Sequence, residues 1–185
     1  MGLKVVSFEK KVQGDFLLLE VVNELYTMKM PKLLFKLIHP DKNGDKDYIP
    51  EKAYLDVKET CALIRAIKFR QEPEIFKSFK GSLDKTLGKV VARVFSLKRK
   101  GSIFVLALEL AEGQQSFVLN KAGQKVPGVV KPLGGHTIRQ ASIALSREEV
   151  LCLADLLDKE LNAWRTALNL DCFYHPEKYA GKSKS

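Results

Sequence analysis

Apolar and polar residues alternate with a period of two along much of this chain and change to helical spacing in two places. In the first half the alternation predicts strands over residues 4–12, 16–25 and 32–38, with a short fourth near Ala53. A helix over 56–69 follows. In the second half, strands are expected over 89–98, 102–111, either 116–119 or 126–131, and 137–145, followed by a longer helix over 146–168. Residues 71–88 contain Pro and Gly, carry Phe76 and Phe79, and read as a connection between the halves.

The same order of elements appears twice, and the letters repeat with it. Val6-Ser7-Phe8-Glu9-Lys10-Lys11 matches Phe95-Ser96-Leu97-Lys98-Arg99-Lys100 at an offset of 89 positions, each followed by a short turn (Gly14-Asp15 and Gly101-Ser102) and an apolar strand. Leu55-Asp56-Val57-Lys58-Glu59 matches Leu145-Ser146-Arg147-Glu148-Glu149 at an offset of 90. Both are helix starts of capping-box type, in which Asp or Ser accepts from first-turn amides and a Glu three residues later reaches back. Leu63 and Ile67 then match Leu153 and Leu157. Similar features in constant order at a near-constant offset indicate a tandem duplication.

The last helix has one apolar stripe, Val150, Leu153, Ala154, Leu157, Leu161, Trp164 and Leu168, with Asp155, Asp158 and Lys159 opposite. Such a stripe is expected to pack in the core or to form a seam between two copies of the chain. The tail ending Gly181-Lys182-Ser183-Lys184-Ser185 is expected to be disordered and without chemistry.

Composition narrows the function. The 185 residues are 45% hydrophobic, too apolar for a disordered chain, and no apolar run is long enough to cross a bilayer. No secretory signal is recognisable at Met1-Gly2-Leu3-Lys4, so a cytoplasmic protein is expected. Cys61, Cys152 and Cys172 are far apart and read as buried, reduced thiols. His39, His136 and His175 stand alone, so neither metal nor cofactor is expected.

The formal charge is +9, and its position matters more than its size. Between Lys85 and Leu145 ten basic residues face two acidic ones, a net +8, whereas the closing helix leans acidic. Cations on a sheet beside flat side chains suit single-stranded nucleic acid, because they follow the phosphates while unstacked bases lie on the rings. The candidate residues are Lys89, Arg93, Lys98, Arg99, Lys100, Lys121, Lys125 and Arg139, with Phe95 and Phe104 as stacking residues and Phe117 as a further platform. Strand geometry sends Arg93, Phe95 and Leu97 to one face and Val94, Ser96 and Lys98 to the other.

Other chemistry finds less support. Gly81 to Lys89 has six residues between its glycines and Val90 after the Lys, where a phosphate-binding P-loop needs four and a hydroxyl. His39-Pro40-Asp41-Lys42-Asn43, with Lys32 and Lys36 upstream, resembles the loop of a J-domain cochaperone, but Pro31 and the thirteen residues after Tyr26 leave no room for that family's helices. Asp45 and Asp47 lack the Glu of a calcium loop. Catalytic motifs are absent, and an enzyme is not expected.

The strand ending Lys98-Arg99-Lys100, the strand 103–110, the loop Gly123-Gln124-Lys125-Val126-Pro127-Gly128 and the helix start Ile143 to Glu149 resemble the module of the positive-cofactor-four coactivators. In tandem, such units resemble the Whirly and Pur-alpha proteins. The resemblance is fullest over 89–168 and weaker over 4–69. It implies binding of single-stranded DNA or RNA on a curved sheet. The expected molecule is α+β: two strand-rich repeats of about four antiparallel strands and one helix each, over 1–70 and 89–170, packed as a pseudo-dimer, with a linker over 71–88 and a tail over 171–185. It is expected to bind single-stranded nucleic acid, DNA rather than RNA, with low sequence specificity, and to homo-oligomerise through the C-terminal helix. The alternative is a non-catalytic scaffold whose basic face and apolar helices meet other proteins.

Overall fold

The computed structural model describes residues 3–12, 15–26, 31–39, 50–84, 87–121 and 123–175. In chain order its elements are β1 (Leu3–Val12), β2 (Asp15–Asn23), β3 (Lys32–Ile38), β4 (Glu51–Asp56), α1 (Val57–Phe69), β5 (Glu74–Asp84), β6 (Lys89–Lys100), β7 (Ile103–Leu119), β8 (Lys125–Leu145) and α2 (Arg147–Tyr174). The fold is α+β, as expected. Strands β1 to β4 form one antiparallel sheet in sequence order, and β5 to β8 form a second. Each four-stranded meander leads into a helix.

Alternation builds the core. In the first sheet Val21, Phe35 and Ala53 stand opposite one another on three strands and are buried, as are Leu19 and Leu37 on the same face. In the second sheet Phe95, Leu108, Leu106, Leu97 and Ile143 occupy one face in the same way. These two faces, with Leu63, Ile64 and Ile67 of α1 and Val150, Leu153, Leu157 and Leu161 of α2, form a single cluster. The Phe35 and Phe95 rings meet edge to face with centroids 4.9 Å apart, joining the two sheets at the centre. Each such side chain contributes roughly 1.5–3 kcal/mol by leaving water.

Both capping boxes form as the sequence predicts. Asp56 Oδ1 accepts from the Glu59 N–H at 2.9 Å and Glu59 Oε2 from the Asp56 N–H at 2.9 Å, while Ser146 and Glu149 do the same at 3.2 and 2.7 Å. Each capping Glu is also held by a Lys from the other half of the chain. Lys80 of β5 lies 2.8 Å from Glu59, and Lys10 of β1 lies 2.6 Å from Glu149. Burial pushes the Glu149 carboxyl up, but the Lys10 ammonium and the Ser146 N–H outweigh it and leave its pKa below the ordinary value. Asn23 donates to Glu160, and Lys68 lies 3.0 Å from Asp155, extending the polar seam.

Several expectations need correction. Residues 74–84, read as part of a connection, form β5, an edge strand with one neighbour and mostly exposed side chains, so its apolar signal is weak. With β5 counted, β1 corresponds in order to β5 and β2 to β6, so the match of Val6–Lys11 with Phe95–Lys100 aligned β1 with β6, which are not equivalent strands. The match of the helix starts falls on equivalent elements. The two alternative strands 116–119 and 126–131 both exist, as the two legs of one long hairpin. Bulges at Ala111, Gly113 and around Ser116 shift the register and break the period of two that the sequence reading relied on. Helix α2 runs to Tyr174, and beyond Trp164 its stripe leaves the core, since Leu168 is exposed. None of the three cysteines is fully buried: Cys152 is exposed and Cys61 and Cys172 are half-buried, and all three thiols are free. Residues 32–38 form strand β3, not the helix that a J-domain places before its tripeptide. Pro40 to Asn43, Asp45, Asp47, Lys85 and the tail 181–185 lie outside the described residues.

The β7–β8 hairpin beyond Ala111 folds back over the second sheet. Val130 of β8 sits on Gly81 of β5 and Gly113 of β7, where the absence of side chains makes room for it. A side-chain carbon on Gly81 would collide with Val130 Cβ and Cγ1. Gly81→Ala should therefore cost about 1–3 kcal/mol in denaturant unfolding. In a Val130→Gly background the same substitution should cost far less, a coupling that a double-mutant cycle measures; equal costs in the two backgrounds would show that Val130 does not restrict position 81.

Candidate nucleic-acid interface

Pairing register assigns each side chain in the second sheet to a face. Arg93, Phe95, Leu97 and Arg99 share the core side with Leu110, Leu108, Leu106 and Phe104. Across the opposite, outer face run Lys77, Ser96, Ala107 and Ser142 in one row and Glu74, Lys98, Val105 and Ala144 in the next, with Lys100 opposite Ile103 beyond them. The result is a floor of mostly small side chains bordered on the β5–β6 side by three lysines and by Glu74, which stands opposite Lys98 in the register without an ion pair to it. Glu109, which accepts from Thr137, lies further down the same face.

The ten candidate residues do not converge on one groove. Phe95 is 1% exposed and packed edge-on against Phe35 and Phe76, and Phe104 is also buried, so neither offers a face to a base. Both serve the core instead, the usual fate of an apolar residue on an inward strand position. Lys89 lies 3.0 Å from Glu112. Arg93 reaches Asp84 at 3.1 Å and Ser82 at 3.3 Å. Arg139 Nε lies 3.0 Å from Glu51 Oε1, a charge contact out of line for a hydrogen bond. Lys98 and Lys100 remain exposed on the outer face, while Arg99 between them points to the other side, its Nε donating to the Gly101 carbonyl at 3.1 Å. Lys121 and Lys125 stand at the far end of the second sheet, in and beside the turn joining β7 to β8. The seventeen residues of β7, roughly 50 Å of strand path, separate them from the Lys98–Lys100 end.

Phe117 fits the stacking role better than Phe95 or Phe104. Its ring is 55% exposed and carries the Lys125 ammonium 4.9 Å from its centroid. Sequence reasoning missed Lys77, because the strand that carries it was read as a connection. It also passed over the outer face of the first sheet, where Lys36 stands opposite both Glu20 and Lys52, and where Lys32 Nζ lies 3.8 Å above the Tyr54 ring. The alternation of 32–38 with 51–56 contained that signal, but the charge count drew attention to the second half. Among the described residues no group of three or more potential metal ligands occurs, and no helix is long and apolar enough to cross a membrane.

A cleft of about 350 Å³ opens between the halves and is lined by Glu51, Lys52, Asp84, Arg93, Leu110 and Arg139 among others. Burial raises the Glu51 pKa above its ordinary 4.5, with Arg139 and Arg93 only partly opposing the shift. No family model matches the chain, and no curated protein matches it significantly.

A carboxyl whose folded pKa is raised binds protons more tightly when folded, so it stabilises the fold below pH 4.5 and loses that contribution as pH rises through the folded value. Glu51→Gln cannot ionise and keeps an acceptor for Arg139. The melting temperature of the variant relative to the parent should accordingly rise between pH 4 and pH 7, on the titration range of a raised carboxyl; a difference that is flat or falling with pH would contradict the assignment.

Proposed function

We propose that the protein binds single-stranded nucleic acid, DNA in preference to RNA and with little sequence preference, on the outer face of the second sheet. The observation that carries this reading is the group Lys77, Lys98 and Lys100, which lie on adjacent strands of one face and have no carboxylate partner within ion-pair distance among the described residues. Small neighbours, Ser96, Ala107, Ser142 and Ala144, leave the floor shallow enough for a strand to approach the backbone. Lysines aimed at phosphates carry no base information, hence the low specificity. Exposed Phe117 with Lys125 supplies a stacking platform at the far end of the same sheet.

The reciprocal bridges support a pseudo-twofold packing of the two halves, since β1 and β5 are equivalent in order and each gives a Lys to the other half's capping Glu. Free thiols fit a reducing, cytoplasmic setting. One observation favours the second reading, an interaction protein: Leu168, Leu170, Phe173 and Tyr174 are exposed on the last turns of α2, where another protein or a second copy of the chain would cover them.

Anisotropy titration of a labelled oligothymidylate should give an affinity that falls by more than about tenfold between roughly 50 and 200 mM salt. Replacing Lys77, Lys98 and Lys100 together by Ala should weaken it at least about tenfold at low salt and lower the salt slope by about one per lysine. Phe95→Leu should leave affinity unchanged. Absence of binding at low salt, indifference to the triple replacement, or equal competition by heparin would sink the proposal, the last in favour of a general polyanion-binding surface.

A further inference from the structure

At the junction of the two halves the C-terminal end of α1, the start of α2 and the end of β6 enclose a cavity of about 320 Å³. Lys68, Arg70, Arg99 and Arg147 line it, and no carboxylate does. Lys68 is committed to Asp155 at 3.0 Å. Arg70 and Arg99 each spend one N–H on a backbone carbonyl, Ile75 at 3.3 Å and Gly101 at 3.1 Å, which fixes the guanidinium and leaves further donors. Arg147 has no carboxylate within ion-pair distance among the described residues and sits in the first turn of α2, where the helix dipole adds to the positive potential.

The frame around these cations is rigid. The Arg70 N–H closes α1 on the Ala66 carbonyl at 2.9 Å, and the Arg99 N–H ties β6 to the Pro73 carbonyl at 2.7 Å. Phe69 lines the cavity and is 80% exposed, while Ile67, Val150 and Leu151 give the wall an apolar side. Fixed guanidinium groups recognise phosphate oxygens in a fork geometry. An aromatic ring beside them recognises a flat base. A volume near 300 Å³ is the lower end of small-ligand sites.

We infer that this cavity is a second, separate site, which takes a nucleotide through its phosphomonoester, with Arg99 and Arg147 on the phosphate and Phe69 against the base. It goes beyond the outer-face reading, because Arg99 lies on the opposite side of β6 from Lys98 and Lys100. The same chemistry is offered by a free mononucleotide and by the phosphorylated end of a strand.

Calorimetric titration of the full chain with adenosine 5′-monophosphate, adenosine and inorganic phosphate tests the site directly. The monophosphate should bind saturably and at least about tenfold more tightly than either fragment, since both contacts are needed. The Arg99→Gln, Arg147→Gln double variant should lose at least tenfold, and Phe69→Ala should bring monophosphate down toward inorganic phosphate. Lys98→Ala with Lys100→Ala should change nothing, which separates this site from the outer face. No saturable binding of the monophosphate, binding indifferent to the arginine pair, or inorganic phosphate binding as tightly as the monophosphate would overturn the inference. Tighter binding of a 5′-phosphorylated oligonucleotide than of its 5′-hydroxyl form, lost in the arginine variant, would identify a strand end as the ligand; monophosphate binding without that gain would identify a free nucleotide.

Discussion

The exchange of lysines between the halves is the contact on which the rest of the structure depends. A capping-box Glu satisfies a helix N-terminus only while it stays aimed at it, and in both helices an ammonium carried from the other half holds it in place, Lys80 on Glu59 and Lys10 on Glu149. Each unit therefore completes the helix start of its partner. The helices in turn lay Leu63, Ile67, Leu153 and Leu157 into the one cluster that holds both sheets. With the inner faces sealed against each other, the outer faces and the rims between the units are the surfaces that solvent meets.

That arrangement explains what the sequence could and could not reveal. Capping boxes are local, four residues long and built from letters with few other uses, so both helix starts were legible to the residue. Strands β2 to β4 followed from alternation because their inward residues, Leu19 and Val21, Leu33, Phe35 and Leu37, and Ala53 and Leu55, are all buried. Strand β5 was not legible, since an edge strand with Lys, Ser and Gly along most of its length satisfies its backbone without an apolar pattern. Missing it displaced the apparent repeat by one strand. The long hairpin was misread for a different reason: bulges are register changes, and a period that changes phase looks like an end.

The candidate site was half legible. Net charge by segment counts an excess of cations but cannot say which of them are neutralised in three dimensions. Lys89, Arg93 and Arg139 find carboxylates that are distant in sequence, with separations that no local pattern encodes. Consecutive basic residues on a strand must also part company, so that Lys98 and Lys100 serve one surface and Arg99 another. Position 95 is a Phe on an inward strand position beside another buried strand, and its burial against Phe35 was the outcome that the bland reading of alternation favours.

A core shared by two consecutive units has a consequence for the chain during its synthesis. The first sheet and α1 are complete by Phe69, but the surface that covers Leu19, Phe35 and Leu55 is supplied by strands that end at Leu145 and by α2. At a ribosomal rate of about 5–20 residues/s, that apolar face waits on the order of ten seconds for its cover. During that interval the nascent first unit is a natural client for chaperones and an open invitation to pair with another nascent copy of itself, in place of the second unit it has yet to receive.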